Sequence, residues 1–137
     1  MLELSNLNIF AVIVVWLISV IVGSFWYSPA GFGKLWSKLS GVDMMKMPKD
    51  LANKAILSVS ISSLIQAVSL AIAVKSFGAE TLVDGLVVGL FLWVGFTAAT
   101  TVGNNLYLRY SWKFWWLNAS FFLITMPISG IILSVWK

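Results

Sequence analysis

The amino-acid sequence predicts an all-α, polytopic membrane protein, with four transmembrane helices in an up-down bundle and a short interfacial helix between the first two. Of its 137 residues, 60% are hydrophobic and only 10% are charged. A soluble domain of this size has too little interior to bury that much apolar surface. The apolar residues form four uncharged runs, each long enough for a helix to cross a hydrocarbon core of about 30 Å.

The first run extends from Ile9 to Tyr27 and is followed by Pro29, which stops a helix. We expect this run to be retained rather than cleaved as a signal peptide, because residues 1–8 contain no Lys or Arg and no small-x-small site follows. One membrane domain, residues 1–137, then contains all four predicted spans, which cover about residues 9–27, 55–74, 85–108 and 114–136.

The connector between the first two spans contains the pattern of a short amphipathic helix. Apolar residues recur at positions i, i+3, i+4 and i+7 of one helix face: Phe32, Leu35, Trp36 and Leu39. Lys34, Ser37 and Lys38 occupy the other side. Gly41 ends this helix, and Pro48 suits the first position of the next one. The connector therefore predicts a helix that lies along the membrane surface.

The basic residues are distributed unequally between the two ends of the spans. Seven of them share one side of the predicted membrane: Lys34, Lys38, Lys46, Lys49, Lys54, Arg109 and Lys113. Only Lys75 and Lys137 lie on the other side. Because positive charge is retained in the cytoplasm, we expect loops 28–54 and 109–113 to be cytoplasmic and both termini to lie outside the cell membrane.

Small polar side chains follow one face of several spans. The candidate intramembrane stripe consists of Ser58, Ser62, Gln66, Ser69, Thr97, Thr101, Asn104 and Asn118, with Thr100 beside it. Such side chains form hydrogen bonds between helices. We expect the indole N–H groups of Trp16 and Trp93, which lie inside apolar runs, to donate to them. The alternative is a polar path for a solute, although the ionisable residues that usually mark such paths are absent from the spans.

Small residues on the third span predict close contacts between helices. Gly85 and Gly89 form a small-xxx-small motif, while Gly95, Ala99 and Gly103 follow at four-residue intervals on a second face. Four spans offer few internal surfaces for two such faces. The second face therefore predicts contact between copies of the chain, and hence a homo-oligomer.

The composition excludes several classes of function. The chain contains no Cys and no His, and no acidic residue lies within a predicted span. We therefore predict no metal ligands, no cofactor, no catalytic residues and no enzymatic activity. The basic residues lie beside apolar runs rather than on a soluble surface, which argues against nucleic acid as a partner. Four of them suit anionic lipid headgroups at the cytoplasmic face: Lys34, Lys38, Arg109 and Lys113.

The turn after the first span has the most specific sequence pattern, which we call the signature turn. Its residues are Trp26, Tyr27, Ser28, Pro29, Phe32, Gly33, Lys34 and Trp36. On this pattern, and on the later segments Trp93-Val94-Gly95-Phe96 and Ser111-Trp112-Lys113, the chain resembles a family of small integral membrane proteins known as domain of unknown function 1761. The resemblance implies a four-span protein and implies no particular activity.

Together these observations predict a small integral membrane protein that is not an enzyme and acts as a homo-oligomeric helix-packing or partner-binding module. Two alternatives stay open. One is a small channel or transporter whose path is lined by Ser, Thr, Asn and Gln. The other is a protein that binds anionic lipid.

Overall fold

The computed structural model describes residues 6–136, and all regular secondary structure in that part of the chain is helical. The elements are α1 (Ile9–Trp26), α2 (Gly33–Ser40), a 3₁₀ turn (Met44–Lys46), α3 (Lys49–Ser76), α4 (Leu82–Leu92), a π-helical segment (Trp93–Ala98), α5 (Ala99–Tyr107) and α6 (Trp112–Val135). Lys137, which was counted in the charge distribution, lies outside the described residues.

Four helical stretches are long and apolar enough to cross a membrane: Ile9–Trp26, Lys49–Ser76, Leu82–Tyr107 and Trp112–Val135. The third stretch contains α4, the π segment and α5, and we call it the third span. An all-helical chain with four such helices is confirmed, and it indicates an integral membrane protein. The second stretch begins at Lys49, one residue after the helix start predicted at Pro48, so residues 49–54 of the helix precede the uncharged span predicted from 55.

Polar side chains cap the beginnings of α1 and α4. The Asn8 carboxamide accepts hydrogen bonds from the backbone N–H groups of Phe10 and Ala11 at the start of α1. Thr81 and Asp84 form a reciprocal capping box at the start of α4. These caps satisfy N–H groups that have no partner within their own helix.

Helix α6 is the central element, and it contacts α1, α2, α3, α4 and α5. In its most apolar 18-residue window 44% of the residues are buried, compared with 17–22% in the other three spans. Because α6 contacts every other helix, it forms the centre of the bundle.

Two clusters of buried apolar residues lie towards the end of the bundle where the described chain begins and ends, which we call the terminal end. One cluster joins α1 to α3 through Val12, Val15, Ala67 and Ala71. A second joins α3 to α4, and Leu133 of α6 packs against both clusters. Side-chain bonds from Lys75 to the Asn6 carbonyl and from Asn8 to the Trp136 carbonyl also lie at this end.

The opposite end, which we call the basic end, contains α2 and the loops on either side of it together with the loop between α5 and α6. There α3 and α5 are exposed around most of their circumference. Residues 53–59 of α3 are all exposed, and within α5 only Val102 and Asn105 are not. At the basic end α3 and α5 are therefore largely uncovered, whereas α3 and α4 pack against each other at the terminal end.

Candidate functional site

The signature turn is closed by hydrogen bonds between its own residues. The backbone N–H of Phe32 donates to the Trp26 carbonyl at 2.7 Å, and the N–H of Gly33 donates to the Ser28 carbonyl at 2.9 Å. The Ser28 hydroxyl donates to the Phe25 carbonyl at 2.8 Å. These bonds reverse the chain within a few residues and start α2 directly against the end of α1.

Two glycines allow this close turn. A Cβ atom at Gly31 would overlap the carbonyl oxygen of Phe25, and one at Gly33 would overlap that of Tyr27. Both obstacles are backbone atoms, which cannot move aside as a flexible side chain can. The two glycines of the turn are therefore required by packing.

The signature turn is attached to α6 by two side-chain bonds. The Trp26 indole Nε1–H donates to the Leu117 carbonyl at 3.1 Å. The Tyr27 hydroxyl donates to Asn118 Oδ1 at 3.0 Å, and the amide of Asn118 donates to the Phe114 carbonyl at 2.8 Å. Asn118 was assigned to the intramembrane stripe by sequence, but the structure places it with the signature turn.

Aromatic rings pack around these bonds. The ring centroids of Trp26 and Phe32 lie 4.6 Å apart, those of Trp36 and Phe114 lie 6.1 Å apart, and those of Tyr110 and Phe114 lie 4.4 Å apart. Phe114, in the first turn of α6, therefore contacts both Trp36 of α2 and Tyr110 of the loop before α6.

A cleft of about 450 Å³ opens beside the signature turn. Its walls are Tyr27, Pro29, Gly33, Lys34, Ser37, Asp43, Met44 and Met45. Asp43 lies 3.5 Å from the ammonium of Lys46, and both side chains are exposed. The predicted lipid-binding residues Lys34, Lys38, Arg109 and Lys113 are also exposed. Within residues 6–136 none of these four has a carboxylate within 4.0 Å.

The first glycine pair of the third span lies directly against α6. A Cβ at Gly85 would overlap the carbonyl oxygen of Gly130, and a Cβ at Gly89 would come within 2.6 Å of the Met126 carbonyl oxygen. The hydroxyl of the buried Ser134 donates to the Thr81 carbonyl at 2.9 Å. Helices α4 and α6 therefore pack backbone against backbone.

The second set of small residues has no such partner. Gly95, Ala99 and Gly103 are exposed, and a Cβ added at Gly95 or at Gly103 would have nothing within 4 Å. The π segment begins after Gly89, contains Gly95 of the second set, and has an extra residue in its turn. It therefore changes the rotation of α5 relative to α4.

The residues of the predicted intramembrane stripe do not come together at one place. Thr97 donates to the Met126 sulfur at 3.5 Å, and Thr101 accepts from the Trp115 indole at 3.0 Å, so these two side chains face α6. Thr100 and Asn104 are exposed, although the sequence placed all four on one side. On α3, Gln66 is half-buried, and three Ser residues are exposed: Ser58, Ser62 and Ser69.

The family of the chain follows from its comparison with known proteins. The family model described as protein of unknown function (DUF1761) matches residues 10–134, nearly the whole chain. The chain belongs to the DUF1761 family. This confirms the resemblance noted in the sequence. No curated protein and no solved structure matches the chain.

In this DUF1761 protein, the prediction of which groups accept the indole hydrogen bonds of Trp16 and Trp93 was wrong. The indoles of Trp16 and Trp93 donate to the backbone carbonyls of Ser60 and Ala119, at 3.0 and 2.9 Å, and not to hydroxyl or amide side chains. A carbonyl oxygen that already accepts a bond within its helix keeps a second lone pair. That lone pair is available wherever an indole reaches the neighbouring backbone.

Sequence reasoning also missed residues that the packing depends on. Gly130 and Ser134 are small, four residues apart and buried against the third span, and their spacing could have been recognised. Asn105 is buried and bridges the next loop, with its amide donating to the carbonyls of Tyr110 and Ser111. No local pattern distinguishes Asn105 from the exposed Asn104.

Proposed function

We propose that the protein is a non-enzymatic integral membrane protein whose copies associate through α5 and the π segment of the third span. The helix-packing role predicted from sequence then has two parts. Gly85 and Gly89 pack within one protomer, and Gly95, Ala99 and Gly103 pack between protomers.

The main support for this proposal is the exposure of Gly95, Ala99 and Gly103. On α1 and α4 the exposed faces consist mainly of large apolar side chains, such as Leu17 and Ile21 on α1 or Val87 and Phe91 on α4. Such side chains suit contact with lipid tails. Small residues in membrane helices are instead typical of close contact with another helix, and no helix of the same protomer covers Gly103.

Asn104 supports a second copy of the same chain as the partner. It is exposed, and its carboxamide has no hydrogen bond within the part of the chain that the structure describes. A carboxamide offers both donors and acceptors, so it can pair with the same residue of another copy across a two-fold axis. By 3.6-residue helical geometry, Asn104 lies about 100° around α5 from Gly103, and both residues are exposed.

The test is self-association in bilayers, with Ala99→Leu and Gly103→Leu as the disruptive variants. Förster transfer between labelled copies reports the oligomer, and we expect either substitution to lower the association constant at least tenfold. Ala55→Leu is the matched control, because Ala55 is exposed on α3 and receives the same added bulk. A wild-type protein that stays monomeric at all protein-to-lipid ratios would refute the proposal, as would Leu variants that associate normally.

We also propose the predicted topology, in which successive spans alternate in direction across the cell membrane and α2 lies at the cytoplasmic interface. The distribution of basic residues supports it. The chain contains no Cys, so single-cysteine variants labelled with an impermeant maleimide report directly on topology. We expect Phe77→Cys to react in intact cells and Val42→Cys to react only after permeabilisation. The opposite pattern would reverse the orientation.

The side-chain hydrogen bonds support a role in helix packing more than they support a solute path. Of the six residues that would line it, Thr97, Thr101 and Asn118 already bind partners on α6 or in the signature turn. The other three, Ser62, Gln66 and Asn104, have no side-chain hydrogen bond among the described residues. Proteoliposomes loaded with ions or small neutral solutes test this alternative, and we expect them to release no solute faster than empty liposomes.

Anionic lipid binding is a second candidate function, favoured by four exposed cations without a carboxylate partner in the described range: Lys34, Lys38, Arg109 and Lys113. Basic residues near a membrane surface attract anionic lipid by about 1 kcal/mol each. Replacing all four by Gln should therefore reduce retention of phosphatidylglycerol strongly at low salt and only slightly at high salt. Equal retention by the wild type and the variant would exclude this function.

A further inference from the structure

The cleft beside the signature turn has opposite charges in its walls that do not pair with each other. Lys34 reaches it from α2, and Asp43 reaches it from the residue before the 3₁₀ turn. The two groups are more than 4.0 Å apart, and the carboxylate of Asp43 pairs with Lys46 instead. One wall can therefore bind an anionic group while the other binds a cationic group.

The Asp43 carboxylate is only partly occupied. One oxygen, Oδ1, accepts from the backbone N–H of Met45 at 3.0 Å, and the other lies 3.5 Å from the Lys46 ammonium. The side chains of Lys46 and Asp43 are 85% and 49% exposed. An ion pair exposed to this degree contributes about 0–1 kcal/mol. A ligand ammonium can therefore replace Lys46 at little cost.

The remaining walls and the position of the cleft suit a lipid headgroup. Ser37, one helical turn after Lys34, offers a hydroxyl to the same ligand, while Pro29 and Met44 supply apolar surface. A volume of about 450 Å³ is within the usual range for small-molecule sites. The cleft begins at Tyr27, one residue after α1 ends, so the headgroup layer adjoins it if α1 spans the bilayer.

We infer that this cleft binds a zwitterionic phospholipid headgroup that carries a phosphate and a primary ammonium, as phosphatidylethanolamine does. Lys34 and Ser37 bind the phosphate, and Asp43 binds the ammonium. A headgroup with only negative charge would bring that charge towards Asp43, with only the exposed Lys46 to offset it. The inference goes beyond the proposed self-association and does not depend on it.

The experiment is native mass spectrometry of the protein released from bilayers with equal amounts of phosphatidylethanolamine and phosphatidylglycerol of matched acyl chains. We expect wild-type protein to retain the ethanolamine lipid in several-fold excess. Lys34→Gln should lower its retention about tenfold, as expected for loss of a charge-assisted hydrogen bond. Asp43→Asn keeps the oxygen that caps Met45 and should bring the ratio of the two lipids close to one.

Lys54→Gln is the control, because Lys54 is exposed near the start of α3, does not line the cleft and is not one of the four cations proposed to bind anionic lipid. It should leave the lipid ratio unchanged. Equal retention of both lipids by the wild type would overturn the inference, and so would an Asp43→Asn variant with the wild-type ratio. Soluble phosphoethanolamine added to protein in phosphatidylglycerol bilayers distinguishes the source. A rise in Tm that Lys34→Gln abolishes would reassign the site to a soluble compound.

Discussion

The two ends of the third span contain the same kind of residue in opposite surroundings. Gly85 and Gly89 on α4 lie against the backbone of α6, whereas Gly103 on α5 has open space where a side chain would be. A four-residue repeat of small residues therefore identifies a helix face that allows close approach, but it does not identify the partner. The partner depends on how each half of the span is rotated.

The π segment between the two halves provides a physical reason for the difference. In a regular α-helix, residues four positions apart differ by about 40° in direction around the axis. A row of residues spaced four apart therefore turns gradually away from the helix that it first faces. The π segment adds a residue to its turn and reverses part of that rotation. As a result Thr97 and Thr101 still reach α6, while Gly103 does not.

The largest expected effect comes from adding a methyl group to the packed half. Gly85→Ala should lower the free energy of unfolding by about 3 kcal/mol, because the new Cβ would overlap the carbonyl of Gly130 and neither backbone can move away. Unfolding by sodium dodecyl sulfate in mixed micelles measures the change. A loss below 1 kcal/mol would mean that α4 and α6 are not in backbone contact.

An intermediate effect is expected where α5 makes its hydroxyl contact with α6. Thr101→Val removes the acceptor of the buried Trp115 indole, and an unpaired buried donor costs about 1–3 kcal/mol. We expect a loss near 1.5 kcal/mol in the same assay. Thr100→Val is the control, since the Thr100 hydroxyl bonds only to its own helix. Equal losses in the two variants would show that the indole has another acceptor.

A change of the opposite sign is expected in the open half. Gly103→Ala should raise the free energy of unfolding of the monomer by up to about 1 kcal/mol, because alanine favours the helix and its Cβ meets no atom within 4 Å. The paired result with Gly85→Ala tests the comparison most directly. Destabilisation at both positions would indicate that α5 is as closely packed as α4.

The smallest effect concerns the exposed amide of α5. Asn104→Leu should weaken self-association about threefold, which corresponds to the average of about 0.6 kcal/mol for a hydrogen bond between membrane helices. Asn53→Leu, at an exposed position near the start of α3, should leave self-association unchanged. Dissociation constants from Förster transfer compare them. If both substitutions weaken association equally, Asn104 is not at the contact between copies.

Several features of the fold and of the candidate site could be predicted from local sequence. The four apolar runs predicted four helices able to cross a membrane, because length and hydropathy are properties of each segment alone. Gly41, with φ of 77°, ends α2 as expected. The signature turn was identified from its residues, and its Ser28 and Gly33 do form the bonds of a close turn. Such features depend on neighbours within a few positions.

Other features required the tertiary structure. Trp16 and Trp93 were expected to bind polar side chains, but each indole binds a backbone carbonyl that only the approach of another helix brings within reach. Asn118 was assigned to a stripe and belongs instead with Tyr27, 91 residues earlier in the chain. Asn104 and Asn105 are adjacent, yet one is exposed and the other buried.

The sequence by itself determined the helices, their caps and the residues able to pack closely, because hydropathy, hydrogen bonding at helix ends and side-chain size act over short stretches of chain. The tertiary structure alone decided which small and polar residues meet. That outcome depends on the rotation and separation of helices distant in sequence, and at Gly85 and Gly130 it is decided by whether two backbones come into contact.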